Sequence, residues 1–129
     1  MRLIIEHLSK RYEKKQVLKQ IDFTFEEGKI YGLLGRNGAG KTTFFNCLNR
    51  DIAADEGQFF LEDAAGRKGL SSEDIGYVLS TPVVPEFLTG REFVKFFLDI
   101  NQNQMESPQP VDVYLQRIGI AEEDRDKLL

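Results

Sequence analysis

The sequence predicts an α/β fold in which strands come first and amphipathic helices follow. Residues 2–8 and 21–26 have the apolar patterns of strands, and the second alternates strictly between apolar and polar residues. Residues 30–34 are almost continuously apolar, as expected of a strand that is buried on both faces. A glycine-rich segment follows that strand, and residues 41–48 then show apolar residues at helical spacing.

Each remaining strand is predicted from a short local pattern. Residues 2–8 are rich in Leu and Ile, and residues 14–16 form a polar turn between them and residues 21–26. Residues 58–61 and 75–79 are short apolar runs between polar or glycine-containing segments, and they predict two further strands.

The pattern becomes helical near Pro82. Thr89 and Glu92 have the spacing of a capping box, in which the Thr hydroxyl accepts from a free backbone N–H and the Glu carboxylate reaches back. Apolar residues then recur at positions i, i+3, i+4 and i+7 within residues 93–100, which predicts an amphipathic helix.

A second helix is predicted after a polar linker over residues 101–110. Residues 111–118 repeat the same helical spacing, and Gly119 is placed to end that helix. The residues from Ala121 onward resemble the beginning of a third helix.

Composition excludes several classes of protein. The chain has 129 residues, of which 41% are hydrophobic and 29% charged, so a disordered tail or a collagen-like repeat is excluded. Its single cysteine, Cys47, cannot form an internal disulfide, and its first residues lack the apolar stretch of a secretory signal. The sequence contains no run of about 18 apolar residues, which is the length that a transmembrane helix requires.

The charge is unevenly distributed. Residues 1–50 hold 10 Lys and Arg against 5 Asp and Glu, whereas residues 51–129 hold 7 against 16. The basic half suits an anionic ligand, although a chance bias on a solvated surface is the alternative. Because the whole chain is acidic and carries no basic stripe, nucleic acid is not expected as a partner.

One motif carries clear chemistry, the spacing G-x-x-x-x-G-K-T. Glycines let the backbone wrap closely, so that successive N–H groups and the following helix N-terminus face an anion. Lys41 is placed to reach the β- and γ-phosphates of a nucleotide, and the Thr42 hydroxyl is placed to hold Mg²⁺. A glycine-rich turn that binds nothing leaves the Lys-Thr pair unexplained. The motif consists of Gly35, Arg36, Asn37, Gly38, Ala39, Gly40, Lys41 and Thr42.

The chain resembles the N-terminal portion of the ATP-binding cassette (ABC) ATPases, and among them it most resembles the cassettes of bacterial export-type transporters. The resemblance covers nearly the whole chain. Besides the motif and Thr43, the segments that carry it are residues 8–12, 17–18, 21–25, 28–35, 75–78 and 88–93. It implies the N-terminal half of an ABC-type P-loop domain, with an antiparallel β subdomain, the P-loop strand and helix, and the start of a helical subdomain.

The resemblance implies ATP and Mg²⁺ as ligands and assigns further roles. Tyr12 matches the aromatic residue that stacks on adenine, with a simple surface aromatic as the alternative. Val17 would line the same pocket or belong to the core. Thr43 would direct its hydroxyl toward the α-phosphate or be only an early helix residue. Lys41 would be the catalytic residue present in this chain.

One position departs from the family. Ser80 follows the segment Ile75-Gly76-Tyr77-Val78-Leu79, where the family usually has a Gln that contacts Mg²⁺ and the attacking water. Serine is too short to reach as far, so we expect that this role is lost or moved, with a contact through a water molecule as the alternative.

Other family features are missing. The sequence has no apolar strand that ends in Asp-Glu (Walker B), no signature segment and no later switch histidine. Residues 59–63 resemble the Walker B strand, but they end in the reversed order, Glu-Asp. The single histidine, His7, lies in a predicted strand. We therefore expect a truncated cassette, with a nucleotide-binding core part over residues 1–80 and the start of a helical subdomain over residues 81–129. By itself the chain is expected not to hydrolyse ATP, whereas the longer protein of which it would be a part, here called the parent, would be an ATPase.

The resemblance implies a transmembrane permease subunit and a second ATPase subunit as partners of the parent, at the inner face of the cell membrane in the cytoplasm. Because residues 30–34 would lack neighbouring strands, the chain is expected to self-associate, and a monomer whose helices fold back over the open sheet is the alternative. A non-catalytic nucleotide-binding module for regulation or interaction is the alternative function. A GTPase is not expected, since no Asn-Lys-x-Asp motif is present. The transported substrate and the direction of transport stay open.

Overall fold

The computed structural model describes residues 1–81 and 83–129, so Pro82, where the pattern becomes helical, lies outside the described residues. The chain divides into two compact units, Met1–Val78 and Leu79–Leu129, which are described separately. The assignment of residues 1–80 to a nucleotide-binding core and of residues 81–129 to a helical subdomain stays a prediction.

The first unit is built on an antiparallel sheet. Its strands lie in the order β2-β1-β3-β4, and each neighbouring pair is antiparallel. The central β1 makes the longest pairing, with Leu3 opposite both Phe25 of β2 and Leu61 of β3. The strands are β1 (Arg2–Tyr12), β2 (Lys15–Glu26), β3 (Glu56–Asp63) and β4 (Gly66–Gly69).

The strand predictions for residues 2–8, 21–26 and 58–61 are confirmed, and each strand is longer than its predicted range. The predicted turn at residues 14–16 is displaced, because the tight turn lies at Glu13 and Lys14 and β2 already begins at Lys15. Glu13 has a φ of 49°, so it supplies the left-handed conformation that closes this hairpin.

A short helix covers one face of the sheet. Helix α1 (Lys41–Leu48) follows the glycine-rich loop and buries Phe44 and Cys47. These two side chains pack with Ile5, Leu8 and Leu18 of β1 and β2 to form the core of the first unit. Burial raises the pKa of the Cys47 thiol, which keeps it protonated. The core therefore fixes the helix, and the loop before it, against the β1–β2 hairpin.

Two predicted strands are wrong. Residues 30–34 and 75–79 belong to no sheet, and Ile30 and Leu34 are 103% and 94% exposed rather than buried on both faces. Their apolar composition is typical of central parallel strands, but such strands form only between partner strands. Within the described residues no strand pairs with either segment, so their backbone stays unpaired in the sheet.

The second unit contains helices. Helix α2 (Gly90–Asn101) begins with the predicted capping box, in which the Thr89 hydroxyl accepts from the Glu92 N–H and the Glu92 carboxylate accepts from the Thr89 N–H. Helix α3 (Val111–Arg117) ends before Gly119, whose φ is 80°. The third predicted helix is reduced to a single 3₁₀ turn, Glu122–Asp124, since the chain past Ala121 does not continue in helical conformation.

Ion pairs join the parts of this second unit. The Arg91 guanidinium of α2 donates to Asp126 at 2.8 Å and to Asp112 of α3 at 2.6 Å, and Arg125 also donates to Asp112 at 2.9 Å. The hydrogen bonds from Arg91 and then from Arg125 hold the pKa of the Asp112 carboxyl below its usual range. In residues 1–81 and 83–129, no helix is both long and apolar enough to cross a bilayer.

Candidate functional site: a glycine-rich loop at the end of a hairpin

The glycine-rich loop ends where α1 begins. Gly40 is the N-cap residue, with a φ of 103°, and Gly38 has a φ of 81°. Within the loop, the Ala39 N–H donates to the Arg36 carbonyl at 3.0 Å. No side chain caps α1, and its first turn holds no acidic residue. The first N–H groups of the helix are therefore available to an anion, which the positive end of the helix dipole also favours.

Lys41 folds back over the loop. Its ammonium donates to the carbonyl oxygens of Gly35 and Arg36, with a separation of 3.0 Å from the Arg36 oxygen. Two main-chain acceptors thus hold the cation beside the loop amides. A cation held there adds to the positive potential of the helix N-terminus, so the loop is suited to a strongly charged anion.

Gly40 fits closely against β2. A Cβ atom built on Gly40 would lie 2.9 Å from Cγ1 of Val17 and 3.2 Å from the Val17 carbonyl oxygen. A Cβ atom on Gly38 would meet nothing within 4 Å. At position 40, glycine is required both by the close approach of β2 and by the left-handed backbone conformation. At position 38, only the left-handed backbone conformation favours glycine.

A cleft of about 380 Å³ lies between the end of the hairpin and the loop. It brings together most of the predicted binding residues, from strands β1 and β2, the loop and the start of α1. The hairpin and loop residues come from separate parts of the sequence, and this cleft brings them together. The cleft is lined by Tyr12, Lys15, Val17, Asn37, Gly38, Gly40, Lys41, Thr42 and Thr43.

Three predicted residues do not line this cleft. Gly35 and Arg36 contribute the carbonyl oxygens that hold Lys41, so they act through the main chain. Ala39 instead lines a neighbouring apolar groove of about 290 Å³, which runs along β2 and α1. Their proposed contact with a ligand stays a prediction.

Tyr12 stands at the exposed end of the hairpin. Its side chain is 45% exposed, and the Lys10 ammonium lies 5.4 Å from the centre of its ring. An exposed aromatic face beside a cleft can stack on a planar ligand. Val17, which is half-buried, packs against the core and also lines the cleft; its contact with a ligand stays a prediction.

Sequence reasoning missed one lining residue, Lys15. The predicted turn at residues 14–16 includes Lys15, but Lys15 is the first residue of β2 and pairs directly with Tyr12 across the hairpin. The possible signal was the position of the turn, since a two-residue turn at residues 13–14, in place of the predicted 14–16, puts Lys15 opposite the aromatic residue. No residue that lines the cleft is acidic, and two of them, Lys15 and Lys41, are cationic.

Two features outside the cleft have structural roles. Glu62, at the end of β3, receives hydrogen bonds from Arg67 and Arg2, which lower the pKa of its carboxyl. His7 lies on the exposed β1 surface, with its Nδ1 3.3 Å from a carboxylate oxygen of Asp22. Neither residue lines the cleft. Ser80 lies in the second unit, where it is exposed.

Solved structures of other proteins share this fold. The fold matches that of a putative ABC transporter ATP-binding protein from Pyrococcus furiosus, with a TM-score of 0.74 and 22% identity over 100% of this chain and 62% of that one. It also matches an ATP-binding subunit of an ABC transporter, with a TM-score of 0.72 and 20% identity over 99% of this chain and 54% of that one. These likenesses confirm the predicted fold class.

The sequence comparisons then identify the family. The profile of the ABC transporter family matches residues 18–129. The chain therefore belongs to the ABC transporter family, as the resemblance indicated.

Curated relatives share this family. The chain is 33% identical to an uncharacterized ABC transporter ATP-binding protein, YdbJ, of Bacillus subtilis, over 98% of this chain and 41% of the relative. It is 32% identical to the energy-coupling factor transporter ATP-binding protein EcfA1 of Thermotoga maritima, over 94% of this chain and 47% of the relative. The chain thus spans less than half the length of these two relatives.

Proposed function

We propose that this chain binds ATP with Mg²⁺ in the cleft between the hairpin and the glycine-rich loop. The observation that carries the proposal is the convergence of Tyr12, Lys41 and Thr42 on one cleft, although Tyr12 comes from a different part of the chain. The names of the relatives as ATP-binding proteins support the choice of nucleotide.

Each group in the cleft has a role in this proposal. The loop amides and the N-terminus of α1 bind the phosphates, and Lys41 neutralises charge on the β- and γ-phosphates. Tyr12 stacks on adenine, Val17 lines the same pocket, and Thr43 donates toward the α-phosphate. The remaining loop residues, Gly35 to Gly40, shape the main-chain cradle.

The donor set fits Mg²⁺. This ion usually takes one or two protein oxygens and completes its shell with water and substrate phosphate oxygens. The Thr42 hydroxyl, in the first turn of α1, is such an oxygen. When bound, Mg²⁺ neutralises phosphate charge. The Thr42 hydroxyl would hold the ion, and Lys41 would neutralise charge on the β- and γ-phosphates directly.

For the whole protein we propose an ABC-type ATPase that couples ATP hydrolysis to transport. Several relatives are named as ATP-binding proteins of transporters or of import systems, which supports this proposal. Its partners would be a transmembrane permease subunit and a second ATPase subunit, and its place would be the cytoplasmic face of the cell membrane.

Calorimetry tests the binding proposal. The unmodified chain should bind ATP with Mg²⁺, and Lys41→Ala should weaken binding at least about tenfold, because a charge-assisted contact of about 1.5–3 kcal/mol is lost. Lys19→Ala is the control, since Lys19 is an exposed cation of the same hairpin outside the cleft. Equal binding by the unmodified chain and Lys41→Ala would show that the loop is not the site.

One observation favours a second function for this chain alone, which is nucleotide binding without turnover. No residue lining the cleft is acidic, whereas phosphoryl transfer to water needs a side chain that orients the attacking water. We therefore expect phosphate release from ATP at the background rate. Steady release that persists through purification and disappears in Lys41→Ala would overturn this second function.

A further inference from the structure

Lys15 shares one face of the hairpin with Tyr12. The two residues are direct partners in the antiparallel pairing of β1 with β2. Directly opposed residues of an antiparallel pair project to the same side of the sheet, with their Cβ atoms about 4.5–5.5 Å apart. Both side chains line the cleft, so Lys15 lies beside Tyr12 on the face of the hairpin that borders the cleft.

The Lys15 ammonium has no competing partner in the part of the chain that the structure describes. No carboxylate forms an ion pair with it, whereas the nearby Lys10 lies 3.3 Å from Asp55. Lys14 precedes it in the turn but does not line the cleft. A cation that faces a cleft without acidic residues attracts an anionic ligand.

Different elements hold the two cations that line the cleft. Lys41 is held over the loop by the carbonyl oxygens of Gly35 and Arg36. Lys15 is fixed to the hairpin, beside Tyr12. A ligand that reaches from the Tyr12 ring to the loop would therefore meet Lys15 beside the ring and Lys41 at the loop.

We propose that Lys15 is a second cationic contact of this site, at the end of the nucleotide that carries the base, where it meets the base-proximal phosphate. This inference rests on the proposed function, because it takes the ligand of the cleft to be a nucleoside polyphosphate. Lys15 thereby favours a nucleotide over a bare polyphosphate, in contrast to Lys41, which contacts the terminal phosphates of either.

The test compares Lys15→Gln with Lys14→Gln, a matched loss of one charge from the neighbouring position outside the cleft. In calorimetry at low salt, Lys15→Gln should lower the affinities for ATP and for ADP alike by about three- to fivefold, which is the range of an exposed ion contact. Pyrophosphate affinity should not change. Lys15→Arg should restore nucleotide affinity, and the loss should shrink at high ionic strength because salt screens exposed charges.

The outcomes separate the two proposals. If the unmodified chain binds no ATP, the proposed function fails, and the role of Lys15 fails with it. If ATP binds and Lys41→Ala weakens it, but Lys15→Gln binds as tightly as Lys14→Gln, only the role of Lys15 is overturned. Equal losses for pyrophosphate and ATP in Lys15→Gln would also overturn it. Equal melting temperatures of the two Gln variants show that the comparison concerns binding rather than folding.

Discussion

Gly40 lies directly against Val17, so close that a Cβ atom at Gly40 would stand 2.9 Å from Cγ1 of Val17. Through this approach the β1–β2 hairpin sets the position at which α1 begins. The same hairpin carries Tyr12 and Lys15. The loop and the hairpin residues of the cleft are therefore held in one arrangement by a contact that only glycine allows.

The first prediction concerns Gly40→Ala. The new methyl group would collide with Val17 and Leu18, and alanine would have to adopt a φ of 103°. Strain and overpacking together should lower the free energy of unfolding by at least about 2 kcal/mol. Urea denaturation measures this loss. Gly76→Ala is the control, because a Cβ there meets nothing within 4 Å; equal stability of the two variants would contradict the close packing.

The second prediction separates base binding from phosphate binding. Tyr12→Ala should weaken ATP binding by about 1–3 kcal/mol, since the stacking surface is lost. Binding of pyrophosphate should be unaffected, because the loop and Lys41 are unchanged. Tyr12→Phe keeps the ring and should bind ATP normally. If Tyr12→Ala bound ATP as well as the unmodified chain does, Tyr12 would be only a surface aromatic.

Much of the site could be predicted from local sequence. The loop and α1 follow from a contiguous motif, and the capping box of α2 depends on Thr89 and Glu92 alone. Such features are decided by neighbours within one or two helical turns. The alternation over residues 21–26 likewise predicts β2, because a strand with one covered face shows its pattern along the chain.

The remaining features depend on distant residues. Residues 30–34 have the composition of a buried strand, but whether they pair depends on strands that the described sheet does not provide. The position of Lys15 opposite Tyr12 depends on the register of the hairpin, and a shift of one residue would turn its side chain to the other face. Composition alone decides neither pairing nor register.

The third prediction concerns Asp55, which ties the start of β3 to β1. Its carboxylate accepts from the Arg11 N–H at 2.6 Å and lies 3.3 Å from the Lys10 ammonium. The Arg11 N–H, and then Lys10, hold the pKa of Asp55 below its ordinary value of 3.8. A carboxyl whose pKa is lower in the folded state stabilises the fold above its unfolded pKa, and this contribution is lost as the pH falls through the folded pKa.

The free energy of unfolding that Asp55 contributes should therefore be constant above about pH 5 and should decline below about pH 4. Asp55→Asn should be less stable at neutral pH and should lose less stability on acidification. Urea denaturation at neutral pH and at about pH 3 measures both effects. Glu56→Gln is the control, because the Glu56 side chain has no hydrogen bond among the described residues. Parallel pH profiles for Asp55→Asn and the unmodified chain would exclude this role.

The last prediction concerns self-association. Ile30, Leu34 and Val78 of the first unit are 103%, 94% and 89% exposed, and the segments that carry them are unpaired in any sheet of the described residues. Burying one large apolar side chain contributes about 1.5–3 kcal/mol. Unpaired extended backbone also offers hydrogen bonds to another chain. Copies of this chain should therefore cover one another through a contact larger than roughly 1,000 Å².

Light scattering at micromolar concentration measures the assembly. We expect a dimer or larger species, and Ile30→Lys should shift it toward the monomer, because a charge then enters the apolar contact. Thr24→Lys is the matched control, since Thr24 is exposed but lies on β2 outside the unpaired segments. A monomer of 14.8 kDa with a sharp, cooperative melting transition would contradict self-association. In that case the exposed apolar side chains must be tolerated in water, and Ile30→Lys should leave the melting temperature unchanged.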